Sequence, residues 1–221
     1  MGRAYALKNI RIIYEKHGRM RFISHLDMNR FMSRMINKTG LPIWYTEGFN
    51  KHPYITFALP LSLGFESKYE VMDFRIIDDE LDFSEIGIAF DRVLPPYLKI
   101  VDVFEPVMKP GKITFAQFCI EFETPKSQFA DQLEGFLSRD EIIICKKSKK
   151  GAISEIDIAP KIKSFKIETG EKIVLSLILP AGGQDNINPT ALLGALEKEI
   201  PLPHYIICRT ALYNADMQIF R

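Results

Sequence analysis

The stretch Lys8–Gly40, KNIRIIYEKHGRMRFISHLDMNRFMSRMINKTG, contains a strand, a turn and a helix in succession, and this order sets the pattern for the whole chain. Lys8 to Lys16 alternates sufficiently for a strand, and His17-Gly18 turns the chain. Ser24 is a good helix N-cap, with Asp27 three residues later placing a carboxylate at the positive end of the helix. Met28, Phe31, Met32, Met35 and Ile36 then follow at helical spacing, which puts Arg30 and Arg34 together on another face. Gly40 suits the position just past the helix end.

Beyond Gly40 the pattern predicts a strand over Leu41–Thr46, a turn at Glu47–Asn50, and an extended or looped excursion from Ile55 to Ser67. A strand over Tyr69–Ile77 follows, then a helix over Asp82–Val93 that stops before Pro95-Pro96, then a strand over Tyr97–Glu105. Strand, helix, strand, strand, helix, strand is the order of a ferredoxin-like unit. Pro106–Lys112, PVMKPGK, reads as a linker. The second half repeats the order, with strands at 113–123, 141–147, 172–179 and 205–213, helices at 125–137 and 188–199, and two extra strands at 153–158 and 162–168. The expected fold is therefore α+β: two tandem ferredoxin-like (βαββαβ) units with antiparallel sheets, over residues 1–105 and 113–221, the second enlarged by a hairpin. No residue-level repeat joins the halves, and a single α+β domain with one long sheet is the alternative.

The chain has 221 residues, 47% of them hydrophobic and 26% charged, which is the composition of a globular protein able to bury a core without disulfides or metals. With no signal peptide and no apolar run approaching ~18 residues, a cytoplasmic location without membrane contact is expected. Cys119, Cys145 and Cys208 each sit in an apolar strand-like run, so all three are expected to be buried structural thiols. Without a CxxC pair, no thiolate metal site or cofactor is expected. The net charge of +1 hides an asymmetry: bases dominate between Lys16 and His52, and acids between Glu66 and Glu105. Such a chain steers an anionic partner to one end, or simply carries two solvated faces of opposite sign.

The basic stretch holds the candidate site. The start of the first helix, with Arg19, Arg21, Ser24 and His25, is suited to phosphate or another anion, unless Arg21 merely pairs with Asp27. Arg30 and Arg34, with Trp44, Tyr45, Phe49 and Tyr54 as stacking platforms, resemble the interleaving of bases and aromatics that holds single-stranded RNA. The alternative is surface ion pairs over a core Trp and Phe. Asn50, Lys51 and His52 lie in the GFNKHP turn, where His52 has either a binding role or a hydrogen bond inside the turn. His25, His52 and Asp27 are the candidate acid–base groups, and no metal site is expected. Lysines at 146, 147, 149, 150, 161, 163 and 166 either extend an RNA surface or are solvated.

One family resemblance rests on Phe22-Ile23-Ser24-His25-Leu26-Asp27 with Arg30 and Arg34, on Gly40-Leu41-Pro42, and on Gly48-Phe49-Asn50 with His52-Pro53. It continues through Pro60-Leu61-x-Leu63-Gly64-x-x-Ser67-x-x-Glu70, and more thinly through Glu155-Ile156-Asp157, Pro160, Asn188-Pro189 and Arg209-Thr210. With these motifs the chain resembles the radical SAM-linked protein family, bacterial proteins of unknown role encoded beside, or fused to, a radical SAM protein. Lys51 stands where that family often has Pro. The resemblance implies a radical SAM protein as partner and, from the family's usual gene neighbours, a leaning toward RNA. The expectation is a non-enzymatic RNA- or anion-binding accessory module. The alternatives are a metal-independent endoribonuclease or RNA-modifying enzyme using His25 or His52, and a protein–protein adaptor.

Overall fold

The computed structural model describes residues 7–78, 80–147, 153–183 and 185–221, and in it the chain is a mixed α+β protein that divides into two compact units. The first comprises residues 1–112 with Arg221, and the second residues 113–220.

The first unit runs β1 (Lys8–Lys16), α1 (His25–Lys38), β2 (Ile55–Phe57), β3 (Glu66–Ile76), α2 (Phe83–Asp91) and β4 (Leu98–Phe104). Its strands lie in the order β4-β1-β3-β2, every neighbour antiparallel. Ile10, Ile12 and Tyr14 of β1 and Met72, Phe74 and Ile76 of β3 alternate onto one face, where Met28, Met32 and Ile36 of α1 and Ile86 and Phe90 of α2 cover them. Burying each such side chain contributes about 1.5–3 kcal/mol, so this layer is the main stabilising feature of the unit. On the other face, the fully buried Arg11 makes a bidentate pair with Asp73, at 2.7 Å for both bonds.

The expected strand over Leu41–Thr46 is corrected: this segment makes only isolated bridges, Ile43 to Ile76 and Tyr45 to Pro53, and Ile55–Phe57 is the strand that pairs with β3. The two segments share one edge of β3, Ile43 and Trp44 taking its last residues and β2 taking Met72–Phe74. Pro42 has no N–H to donate, but its carbonyl accepts from Ile77 at 2.7 Å. Residues 46–52 thereby project as a loop whose neck is closed by the Tyr45–Pro53 bridge.

The second unit runs β5 (Phe115–Phe122), α3 (Ser127–Leu137), β6 (Ile143–Lys147), β7 (Ile153–Asp157), β8 (Ser164–Thr169), β9 (Ile173–Pro180), α4 (Pro189–Leu196) and β10 (Tyr205–Tyr213). The order here is β10-β5-β9-β8, again antiparallel, with β6 and β7 forming a separate hairpin. Strict alternation along β9 buries Ile173, Leu175, Leu177 and Leu179. Two of the three cysteines, Cys119 and Cys208, are half-buried, whereas Cys145 is exposed, which corrects the expectation of a buried thiol there. The period of two along the hairpin explains it: Ile142 and Ile144 turn inward, so Ile143 and Cys145 turn out.

Candidate functional site

Lys16 ends β1, and the chain then reverses through a tight turn at His17-Gly18. Gly18 has φ +57°, and a Cβ there would lie 2.8 Å from the Tyr97 ring, so only glycine fits. Its N–H donates to Glu66 Oε1 at 3.0 Å. A 3-10 turn over Gly18–Phe22 carries Arg19 outward and holds Arg21 4.0 Å from Glu66, so Arg21 faces Glu66 rather than Asp27. The Arg21 carbonyl accepts from Gly64 N–H at 2.8 Å, which fastens the 60–66 segment beside the start of α1.

At the start of α1, Ser24 and Asp27 cap each other. Ser24 Oγ accepts from the Asp27 N–H at 3.1 Å and its hydroxyl donates to Asp27 Oδ2 at 2.7 Å. Asp27 in turn lies 3.6 Å from Arg30. A carboxylate thus stands where an anion would approach, leaving the flank of the helix as its more open cationic surface. Along that flank Leu26, Arg30, Arg34 and Lys38 recur every fourth residue and are all exposed. Phe22, Leu26 and Leu63, each about three-fifths exposed, add apolar groups beside it. Among the described residues, Arg19, Arg34, Lys38 and Lys51 make no ion pair and no side-chain hydrogen bond.

Under the start of α1 lies a polar seam that the sequence reading missed. Tyr14, Lys16, Ser67 and Glu70 are at most 5% exposed, and Tyr14, Lys16 and Glu70 line a recess with Met28, Phe57, Pro60, Leu61 and His25. Cross-strand register creates it, pairing Tyr14 with Glu70 and Lys16 with Ser67. Lys16 Nζ donates to the Ile23 carbonyl at 3.3 Å, tying the strand end to the approach to the helix. The free space is about 10 Å3, room for about one water, so the seam is packed and holds no ready-made substrate pocket. His25 packs edge-on against Phe57 at 5.3 Å and is otherwise exposed. The available signal was a lysine two residues beyond Tyr14 on the same strand face; Ser67 and Glu70, three apart, both join the seam only through the register shift between Tyr14 and Lys16.

In the GFNKHP loop, His52 Nδ1 lies 3.1 Å from both Thr46 Oγ1 and the Asn50 carbonyl, so this ring braces the loop. Phe49 and Lys51 stand free at its tip. Trp44 and Tyr54 meet edge to face at 5.7 Å with Arg75 over both rings, at 5.4 and 4.6 Å, which makes them one half-buried stack. No hydrogen bond, ion pair or ring contact joins His25 to His52 among the described residues, and Asp27 is engaged with Ser24 and Arg30. The structure therefore does not assemble these three into an acid–base group. Among the described residues no cluster of three His, Cys, Asp or Glu is placed to hold a metal ion. Of the second-unit lysines, Lys161 pairs with Asp185 and Lys166 with Glu168, while Lys149 and Lys150 lie outside the described residues, as do the side chains of Lys146 and Lys147.

A family model described as "uncharacterized protein conserved in bacteria (DUF2344)" matches residues 9–189. The chain belongs to this family. The DUF2344 match spans both α1 and the 60–70 segment that closes the recess, but it carries no activity and no link to radical SAM chemistry. No curated protein matches the sequence. Among solved structures, a chain in the crystal structure of a Cbf5–Nop10–Gar1 complex is similar in fold, with a TM-score of 0.50 and 9% identity over 92% of this chain. The DUF2344 chain covers 48% of that chain, so it spans about half its length. A putative glycine cleavage system transcriptional repressor aligns over 92% of this chain and 98% of its own, with 9% identity and a TM-score of 0.24. No helix among the described residues is long and apolar enough to cross a membrane.

Proposed function

We propose that this protein is a non-enzymatic RNA- or anion-binding accessory module that works beside a radical SAM enzyme and is built from two ferredoxin-like units. The strand orders β4-β1-β3-β2 and β10-β5-β9-β8, with the β6–β7 hairpin set aside, support that description of the units. The radical SAM partner rests on the sequence resemblance alone.

The observation that carries the RNA reading is the outer stripe of α1. Arg30, Arg34 and Lys38 at four-residue spacing make a row of cations about 6 Å apart, close to the spacing of successive phosphates on an extended strand. Phe22, Leu26 and Phe49 supply exposed faces against which unstacked bases pack. Binding of a labelled single-stranded oligoribonucleotide, followed by anisotropy over a salt series, tests this. Replacing Arg30 and Arg34 together with Ala is expected to weaken binding and to flatten the slope of log K against log salt by about 1.4, at roughly 0.7 for each phosphate no longer neutralised. An unchanged slope sinks the reading.

A second reading, an RNA-cleaving enzyme with His25 as acid–base group, draws on the buried Lys16 and Glu70 beside that ring. Cleavage of cellular RNA by the purified protein, abolished by His25→Ala, would favour it. Co-purification with a radical SAM protein in the absence of RNA binding would instead point to an adaptor.

A further inference from the structure

Among the described residues, Phe49 is the most exposed large hydrophobic, at 104%, so its ring gains nothing from the fold. The loop that carries it is nevertheless fixed. The Tyr45–Pro53 bridge closes its neck, the Thr46 N–H donates to the His52 carbonyl at 2.9 Å, and the His52 N–H donates to Thr46 Oγ1 at 3.3 Å. Gly48, at φ +139°, turns the chain beside Phe49 in a conformation that would strain any side chain. Trp44 and Tyr54 at the root are engaged with Arg75, so the ring left for a partner at the tip is Phe49.

The same loop is fastened to the cationic flank of α1. The Tyr45 hydroxyl donates to Asn37 Oδ1 at 2.6 Å, and Asn37 stands three residues beyond Arg34 on that flank, next to Lys38. The row Arg30, Arg34, Lys38, about 12 Å long at 1.5 Å per residue, therefore runs toward the neck of the loop. Lys51, exposed two residues past Phe49, carries positive charge on to the tip.

A row of cations does not by itself tell one RNA from another. Phosphates are presented by single strands and duplexes alike, and neutralising them reads no base. An aromatic face takes up a base only when that base has left its stack, which a single strand allows and the interior of a duplex does not. We propose that the 46–52 loop makes the α1 surface selective for single-stranded RNA, with Phe49 stacking on one unpaired base at the Lys38 end of the cation row. This rests on the RNA reading above and adds to it the element that chooses the class of RNA.

The test compares binding of a labelled oligoribonucleotide, single-stranded or annealed to its complement, by anisotropy. The native protein is expected to favour the single strand. Phe49→Ala should weaken single-strand binding by about 5- to 150-fold and leave duplex binding and the salt slope unchanged, since a base contact is lost and no phosphate contact is. Phe49→Tyr keeps a stacking face and should retain the preference. Because the ring is unburied, Phe49→Ala should keep the native denaturation midpoint, so weaker binding reports the missing face rather than misfolding. If single-strand binding depends on Arg30 and Arg34 but is unchanged by Phe49→Ala, the role of the loop falls while the RNA reading stands. Equal affinity of the native protein for both forms also overturns it. Phe49-dependent binding to phosphatidylglycerol vesicles but not to RNA would assign the ring to a lipid surface and overturn it too. Absence of binding to either RNA removes the RNA reading itself, and the role of the loop with it.

Discussion

At the scale of single residues, the most consequential placement is a charge with no route to water. Arg11 is fully buried and its Nε and Nη2 both donate to Asp73, whose side chain is 17% exposed. Removing one member of a buried pair leaves the other desolvated, at a cost of about 3–5 kcal/mol. Asp73→Ala is accordingly expected to lower unfolding free energy by about 3 kcal/mol in a denaturant titration, whereas Lys166→Ala, which breaks an exposed pair, should change it by less than about 1 kcal/mol. Lys16 and Glu70 are likewise buried polar groups, lining the recess under α1. They were illegible as site residues because a strand's pattern shows which face a side chain shares, while what covers that face depends on segments far away along the chain.

Helix ends, by contrast, are local, and the N-terminus of α1 was readable from Ser24 and Asp27. Ser24→Ala removes the acceptor of the Asp27 N–H and is expected to cost about 1 kcal/mol by the same titration, with the fold retained. The start of α2 adds a pH dependence. Hydrogen bonds from the Ser84 hydroxyl, then from its N–H, hold the Asp82 carboxyl below its ordinary value of 3.8. A depressed folded-state value means the stabilisation is complete above 3.8 and is lost as pH falls below it through the folded value. Asp82→Asn keeps an acceptor but does not titrate. Acid unfolding of the native protein should therefore be steeper in this window than that of the variant. The strand expected over Leu41–Thr46 failed at this same scale. Its composition suits a strand, but β3 offers one edge, and the edge is divided between Ile43–Trp44 and Ile55–Phe57.

For the whole molecule, the relevant quantity is how charge is distributed rather than its total. A net charge of +1 gives almost no long-range attraction for a polyanion, so association with RNA relies on local fields such as that of α1 and the Arg19 turn. Screening shortens from about 30 Å at 0.01 M salt to about 8 Å at 0.15 M. The association rate of an oligoribonucleotide is expected to fall steeply over that range despite the near-zero net charge, as stopped-flow fluorescence would show. A rate independent of salt would argue for an uncharged recognition surface.

Element types, helix caps and the succession of strands and helices were legible in the amino-acid order, because periodicity and capping act within one or two turns of the chain. So was the placement of Arg30 and Arg34 on one face of α1, since a spacing of four needs only a helix to bring two side chains together. Pairing register was not. It alone brought Tyr14 opposite Glu70 and Lys16 opposite Ser67, turned Cys145 outward, and set Ile144 and Ile156 against α4 around a recess. These outcomes depend on contacts between distant segments, where competition for a shared strand edge and for buried volume, rather than local preference, selects the arrangement.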